Sequence, residues 1–133
     1  MVKRVSHVAI AVSDVAEAAR FYEERLGLKM VGREDVSAAK VTVGFIPVGE
    51  TRIELVQPAS PESPISRFLE TRGPGLQHIC FEVDDVAAEL KRLEAAGVKL
   101  IDKVPRPGAH GTMVGFIHPS AAGGVLVELS EQK

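Results

Sequence analysis

The sequence has no tryptophan, one tyrosine and one cysteine, and its formal net charge is only −2. Without aromatic stacking platforms or a surplus of basic residues, nucleic acid is a poor candidate as a ligand. The same charge balance leaves no footprint for an anionic membrane. The lone Cys80 excludes an internal disulfide and fits a reducing cytoplasm. No apolar run approaches the length of a membrane span. Nothing at the start reads as a signal peptide, because the first apolar segment is short and His7 interrupts it. What is present is an ordinary globular mixture, 45% hydrophobic and 26% charged over 133 residues, enough for one domain or two small packed modules.

The most informative feature is repetition. SHVAIAVSDVAEAARFYEERLGLKM near the start is echoed by GLQHICFEVDDVAAELKRLEAAGVKL. Aligning His7 with His78 gives an offset of 78 − 7 = 71, and the same offset pairs Asp14 with Asp85 and Val15 with Val86. Two copies of one supersecondary unit explain this. Each copy opens with an alternating strand. Val8, Ile10 and Val12 share one face, and His7, Ala9 and Ala11 the other. The bulky face calls for a helix, and the face of small residues leaves room for a pocket.

Asp14 and Asp85 stand as helix caps, Glu17 completes a capping box, and Gly27 and Gly97 stop the helices. Val15, Ala18, Ala19, Tyr22 and Leu26 form the apolar stripe of one helix; Val86, Leu90 and Leu93 form that of the other. After the first helix the pattern predicts a strand at Leu28–Val31, a polar loop at Gly32–Ala39, and strands at Lys40–Val48 and Arg52–Gln57. PASPESP, with three prolines in seven residues, reads as a stiff linker before a short helix at Ile65–Thr71. The second copy predicts strands at Val98–Val104, Thr112–His118 and Val125–Ser130, with loops at PRPGAHG and Pro119–Gly124. The expected fold is α+β: one domain of two tandem βαβββ modules (1–57 and 75–133, joined by 58–74), sheets curled around a shared metal-binding cleft and helices outside.

Four polar residues hold matched places. His7 and His78 lie on the first strand of each copy, and Glu54 and Glu128 on the last. All four point away from the bulky face of their strand. Converging in a cleft, two imidazoles and two carboxylates suit a divalent Mn, Fe, Co, Ni or Zn ion with open positions, and not a thiolate-rich structural zinc site. Each residue alone has a plainer reading, as a packed histidine or a solvated glutamate. The duplication of both types is what favours ligation. His110 and His118 read as loop or turn residues, Cys80 as a packed cysteine, and Glu82 as a solvated strand end. Arg20, Arg25, Lys91 and Arg92 read as solvated helix faces.

The paired units opening with HVAIAV and HICFEV resemble the vicinal oxygen chelate superfamily. RIELVQP, SPISRFLETRGPGLQHICFEVDD, the PRPGAHG loop and HPSAAGGVLVEL resemble, within it, the methylmalonyl-CoA epimerases. The resemblance covers nearly the whole chain. It implies a divalent metal, commonly cobalt, on His7, His78 and Glu128, with Glu54 as a fourth ligand. It implies a coenzyme A thioester substrate whose C2 configuration is inverted, a role in propionate metabolism, and Glu128 as one catalytic group; Glu54 is the candidate for the other, or a ligand only. Some relatives carry a glutamate, proposed as a base, where this chain has Thr42, which leaves Thr42 at most to position a water. Gly108–Gly111 and Gly123-Gly124 are expected near the acyl group or the pantetheine arm. A homodimer is the expectation for a small chain with an exposed sheet edge. The competing readings are a glyoxalase-type lactoylglutathione lyase with the same metal set and a metal-free small-molecule binding protein of the same fold.

Overall fold

The computed structural model describes residues 1–132; Lys133, the last residue of the expected second module, lies outside them. The chain forms two compact units. One is His7–Gln77; the other joins Met1–Ser6 to the residues from His78 onward. The first six residues go with the second unit because Lys3 N–H donates to the Glu82 carbonyl at 2.9 Å and Arg4 pairs with the Glu82 side chain. The expected linker and short helix fall within the His7–Gln77 unit.

In the His7–Gln77 unit the elements are β1 (Arg4–Ala11, of which His7 onward belongs here), α1 (Val15–Leu26), β2 (Gly32–Val36), β3 (Val41–Val48), β4 (Thr51–Pro58) and α2 (Pro64–Arg72). The strand order is β2-β3-β4-β1. β2, β3 and β4 pair antiparallel, whereas β1 pairs parallel with β4. The other unit repeats this with β5 (Gly75–Glu82, of which His78 onward belongs here), α3 (Val86–Ala95), β6 (Arg106–Pro107), β7 (Met113–Ile117) and β8 (Val127–Glu131), in the order β5-β8-β7-β6. Here too the first and last strands, β5 and β8, pair parallel. Both units are therefore βαβββ.

The helices start and stop for local reasons. Asp14 Oδ1 accepts the Glu17 N–H and Asp85 Oδ1 the Ala88 N–H, both at 3.0 Å, satisfying amides that have no partner within the helix. Gly27 takes the left-handed conformation at φ 72° and ends α1. α2 starts at Pro64 behind the Ser63 cap, since proline at a first helical position gives up no bond.

Each helix covers the bulky face of its own strands. α1 brings Val15 and Ala19 against Val12, Ile46 and Leu55; α3 brings Val86 and Leu90 against Val83 and Leu129. Full burial of a side chain such as Leu90 contributes roughly 1.5–3 kcal/mol. The third strand of each unit carries a glycine beneath the helix. A Cβ on Gly44 would stand 2.5 Å from Val15 Cγ1, and one on Gly115 2.8 Å from Leu90 Cδ1.

Four expectations are corrected. Leu28–Val31 is not a strand; Gly32–Val36, expected as a loop, pairs with β3 instead. An edge strand needs only one neighbour and tolerates the charges of GREDV, which mask its alternation. Val98–Val104 forms only a single bridge, Leu100 to Ile117, and the short strand comes later, at Arg106–Pro107 inside the expected PRPGAHG loop. Leu26 does not join the α1 stripe but stands 56% exposed, and Leu28 and Met30 pack there after the Gly27 reversal. Glu82 is not a solvated strand end, since it is buried and ion-paired.

The two glycines predict unequal costs. Val15 is branched at Cβ and stiff, whereas Leu90 meets Gly115 with the ends of a longer side chain. Gly44→Ala should cost about 1–3 kcal/mol by urea denaturation, and Gly115→Ala less.

Two candidate metal-binding half-sites

The parallel pairing of first and last strands sets the geometry. In the His7–Gln77 unit, His7 lies opposite Arg52 and Ala9 opposite Glu54. Alternation then puts His7, Ala9, Arg52 and Glu54 on one face and Ile10, Ile53 and Leu55 under α1. Glu54 is one diagonal step from His7, and its Oε2 lies 3.3 Å from His7 Nδ1. Both side chains are 6% exposed.

The other unit repeats the diagonal. Cys80 lies opposite Glu128, which places Glu128 one step from His78. His78 Nε2 is 3.0 Å from Glu128 Oε1, and both side chains are 9% exposed. Cys80, fully buried, donates from Sγ to Ser130 Oγ at 3.3 Å, and its sulfur lies within 4.8 Å of a Glu128 carboxylate oxygen.

Residues that sequence reasoning passed over complete each half-site. Phe45 lies opposite Glu54, and Phe116 opposite Glu128. The Phe116 ring meets His78 edge-on, with centroids 5.3 Å apart at 88°. An arginine covers each phenylalanine: Arg52 lies 5.9 Å from the Phe45 centroid and Arg106 lies 5.1 Å from that of Phe116. The two arginines differ in their anions. Arg52 reaches Glu54 Oε2 through Nε at 2.8 Å and a terminal nitrogen at 2.6 Å, and the same terminal nitrogen lies 3.4 Å from His7 Nδ1. Arg106 instead pairs with Asp102 at 3.2 Å, whose carboxylate also accepts the Phe116 N–H at 2.8 Å. The alternation that picked out Glu54 also puts Arg52, two residues earlier, on the same face. That signal was available in RIEL.

Other expected residues fall elsewhere. Thr42 lies opposite Gln57, on the Gly44 and Ile46 side of β3, and donates to Asp35 at 2.8 Å. It faces away from the Glu54 side, so it positions no water there. His118 caps the 3-10 turn Pro119–Ala122 by accepting the Ser120 N–H through Nδ1, and His110 takes φ 58° within the 3-10 turn Ala109–Gly111. Arg20 and Arg92 pair with Glu24 and Glu89 along exposed helix faces. Glu82 holds Arg4 at 3.0 Å and Lys3 at 3.6 Å. The Lys3 ammonium is held above its ordinary pKa, chiefly by its hydrogen bond to Asp84, with the charges of Asp84 and Glu82 adding to it.

The donors suit a divalent cation. Each half-site offers an imidazole nitrogen and a carboxylate oxygen on one face, from side chains no more than 9% exposed, and such nitrogen and oxygen sets favour borderline to hard ions. A carboxylate this buried requires a cationic or hydrogen-bonding partner.

Sequence comparison places this architecture in a known class. The profile of the Glyoxalase/Bleomycin resistance protein/Dioxygenase superfamily matches residues 6–116. The chain is 43% identical to the ethylmalonyl-CoA/methylmalonyl-CoA epimerase of Cereibacter sphaeroides, over 98% of this chain and 99% of that one. The crystal structure of methylmalonyl-CoA epimerase from Mycobacterium tuberculosis superposes with a TM-score of 0.94 at 36% identity, covering 99% of this chain and 89% of that one. A methylmalonyl-CoA epimerase solved in complex with methylmalonyl-CoA and NH4+ gives 0.94 at 27% identity, covering 99% and 96%. The chain is a member of that superfamily. Within it, the chain belongs to the methylmalonyl-CoA epimerase family.

Glu82 supplies a stability test. Glu82→Gln should cost about 1–2 kcal/mol in chemical denaturation, because it leaves Arg4 without its carboxylate while Arg4 keeps partial access to water. A solvated strand end would give a change within about 0.5 kcal/mol.

Proposed function

We infer that this chain is a methylmalonyl-CoA epimerase, interconverting the (2R) and (2S) thioesters by removing and returning the C2 proton. One observation within the chain carries the reading: the buried His–Glu diagonal occurs twice, at the same step of the same parallel strand pair, in a member of an epimerase family. Duplication alone would preserve core positions such as Val15 and Val86. Keeping two imidazoles and two carboxylates buried as well requires a use for them.

In this reading the domain spans 1–133, and His7, Glu54, His78 and Glu128 together hold one divalent ion, with cobalt favoured by the family. Bound there, the ion would supply Lewis acidity toward a thioester carbonyl, worth several kcal/mol as charge develops on oxygen. The chain's own groups do the rest. Glu128 takes or returns the C2 proton, a contribution of about 10²- to 10⁴-fold for a positioned carboxylate. His78 orients Glu128 from 3.0 Å, and the edge of Phe116 fixes the imidazole plane. Two-sided proton transfer needs a second group. Thr42 faces away from the Glu54 side, and Glu54, the other carboxylate of the set, serves as that group or as a ligand alone. A coenzyme A thioester as partner, a homodimeric state, a cytoplasmic setting and a role in propionate metabolism belong to the same reading and rest on the family.

Two measurements test it. Glu128→Gln should leave the thermal melt near that of the parent while cutting epimerisation by about 10²-fold or more; turnover within severalfold of the parent would remove Glu128 from the chemistry. In deuterated solvent the parent should incorporate deuterium at C2 during turnover, and its absence would exclude proton abstraction there.

A further inference from the structure

The arginine–phenylalanine stack occurs in both units, but its two arginines take different kinds of carboxylate. Arg106 pairs with Asp102. Arg52 places both Nε and a terminal nitrogen on Glu54 Oε2, within 2.8 Å, and is itself only 23% exposed. His7 Nδ1 approaches the same oxygen, so all three contacts converge on Oε2 and none of them uses Oε1. The sequence supplies this with no loop or special turn: Arg52 and Glu54 are two residues apart on one strand, and the Arg52 guanidinium lies over the Phe45 ring.

We propose that Arg52 is the counter-charge of the site, cancelling the charge of Glu54 so that the site accepts an anionic substrate. The inference rests on the metal-site reading above. Two carboxylates and two neutral imidazoles would cancel the charge of a divalent ion. A substrate bearing its own carboxylate, and gaining negative charge on a thioester oxygen, would then meet no net attraction. With the guanidinium on Glu54, the set keeps one positive charge for that anion. Arg52 touches no reacting atom in this assignment. It is a positioning residue that acts through Glu54.

The test uses the full chain, stripped of metal and titrated with Mn²⁺ by calorimetry, together with KM and kcat for methylmalonyl-CoA. Arg52→Met keeps an unbranched apolar side chain beside Phe45 and removes the charge. It should bind Mn²⁺ about tenfold tighter, because a repelling cation is gone, and raise KM about fivefold. Adding Glu54→Gln removes the uncompensated carboxylate and should return both values toward the parent. Arg52→Lys keeps the charge and should stay close to the parent in both. If Arg52→Met folds only when Glu54→Gln accompanies it, that dependence itself shows which charge Arg52 offsets. Mn²⁺ affinity and KM unchanged in Arg52→Met would overturn the proposal, as would losses that Glu54→Gln does not reverse. A parent protein that epimerises without binding Mn²⁺, or cobalt in a parallel titration, would refute the metal reading separately. The KM comparison would then decide the role of Arg52 alone: rescue by Glu54→Gln upholds it and lack of rescue overturns it.

Discussion

The parallel pairing of first and last strands is the constraint on which each unit depends. A βαβββ chain can return its last strand beside its first only after the helix has covered one face and the two middle strands have turned back antiparallel. That return fixes the register, and the register fixes the site. Once Ala9 lies opposite Glu54 and Cys80 opposite Glu128, each glutamate is one diagonal step from the histidine of its unit, close enough for side-chain contact. A slip of one residue would move Glu54 beneath α1 and expose Leu55 on the polar face, so the apolar core and the polar site enforce the same register.

The helices hold that register at close range. Gly44 and Gly115 let Val15 and Leu90 descend onto the sheet where any side chain would hold them off. The two cores are similar in plan and unequal in volume, since Ala19 in one unit occupies the place of Leu90 in the other. The first unit makes up the difference with Leu28 and Met30, which follow the helix. Divergence of this kind is cheap in a core, where total volume matters more than which residue supplies it.

Much of this was legible in the sequence. The repeat, the Asp caps, the glycine stops and the bulky-versus-small alternation gave both helices and the pairing of histidines with glutamates, because each signal is local and has a period. What escaped was set by partners far along the chain. Gly32–Val36 is a strand only because β3 offers it a free edge, and its charges conceal that. Glu82 looked solvated because nothing in VDD announces Arg4 and Lys3, which precede it by nearly eighty residues. Thr42 was judged by its place in the chain, whereas the strand pairing decides its face, and that pairing turns it toward Asp35. Arg52 was missed for a different reason. Its spacing from Glu54 was visible, but an arginine beginning a strand attracts no notice until a carboxylate is found to be buried beside it.

The two half-sites share a plan and differ in where their arginine is held. A buried carboxylate must be neutralised, hydrogen-bonded or bound to a cation, since burying it bare costs several kcal/mol. Glu54 meets that demand within its own strand, through Arg52. Glu128 has a histidine against it, while the arginine of its unit is held by Asp102. A carboxylate held by a guanidinium is fixed in place. Both carboxylates have an imidazole against them, so the guanidinium is what sets Glu54 apart. Duplication supplies two equivalent glutamates, and the placing of one arginine makes them different.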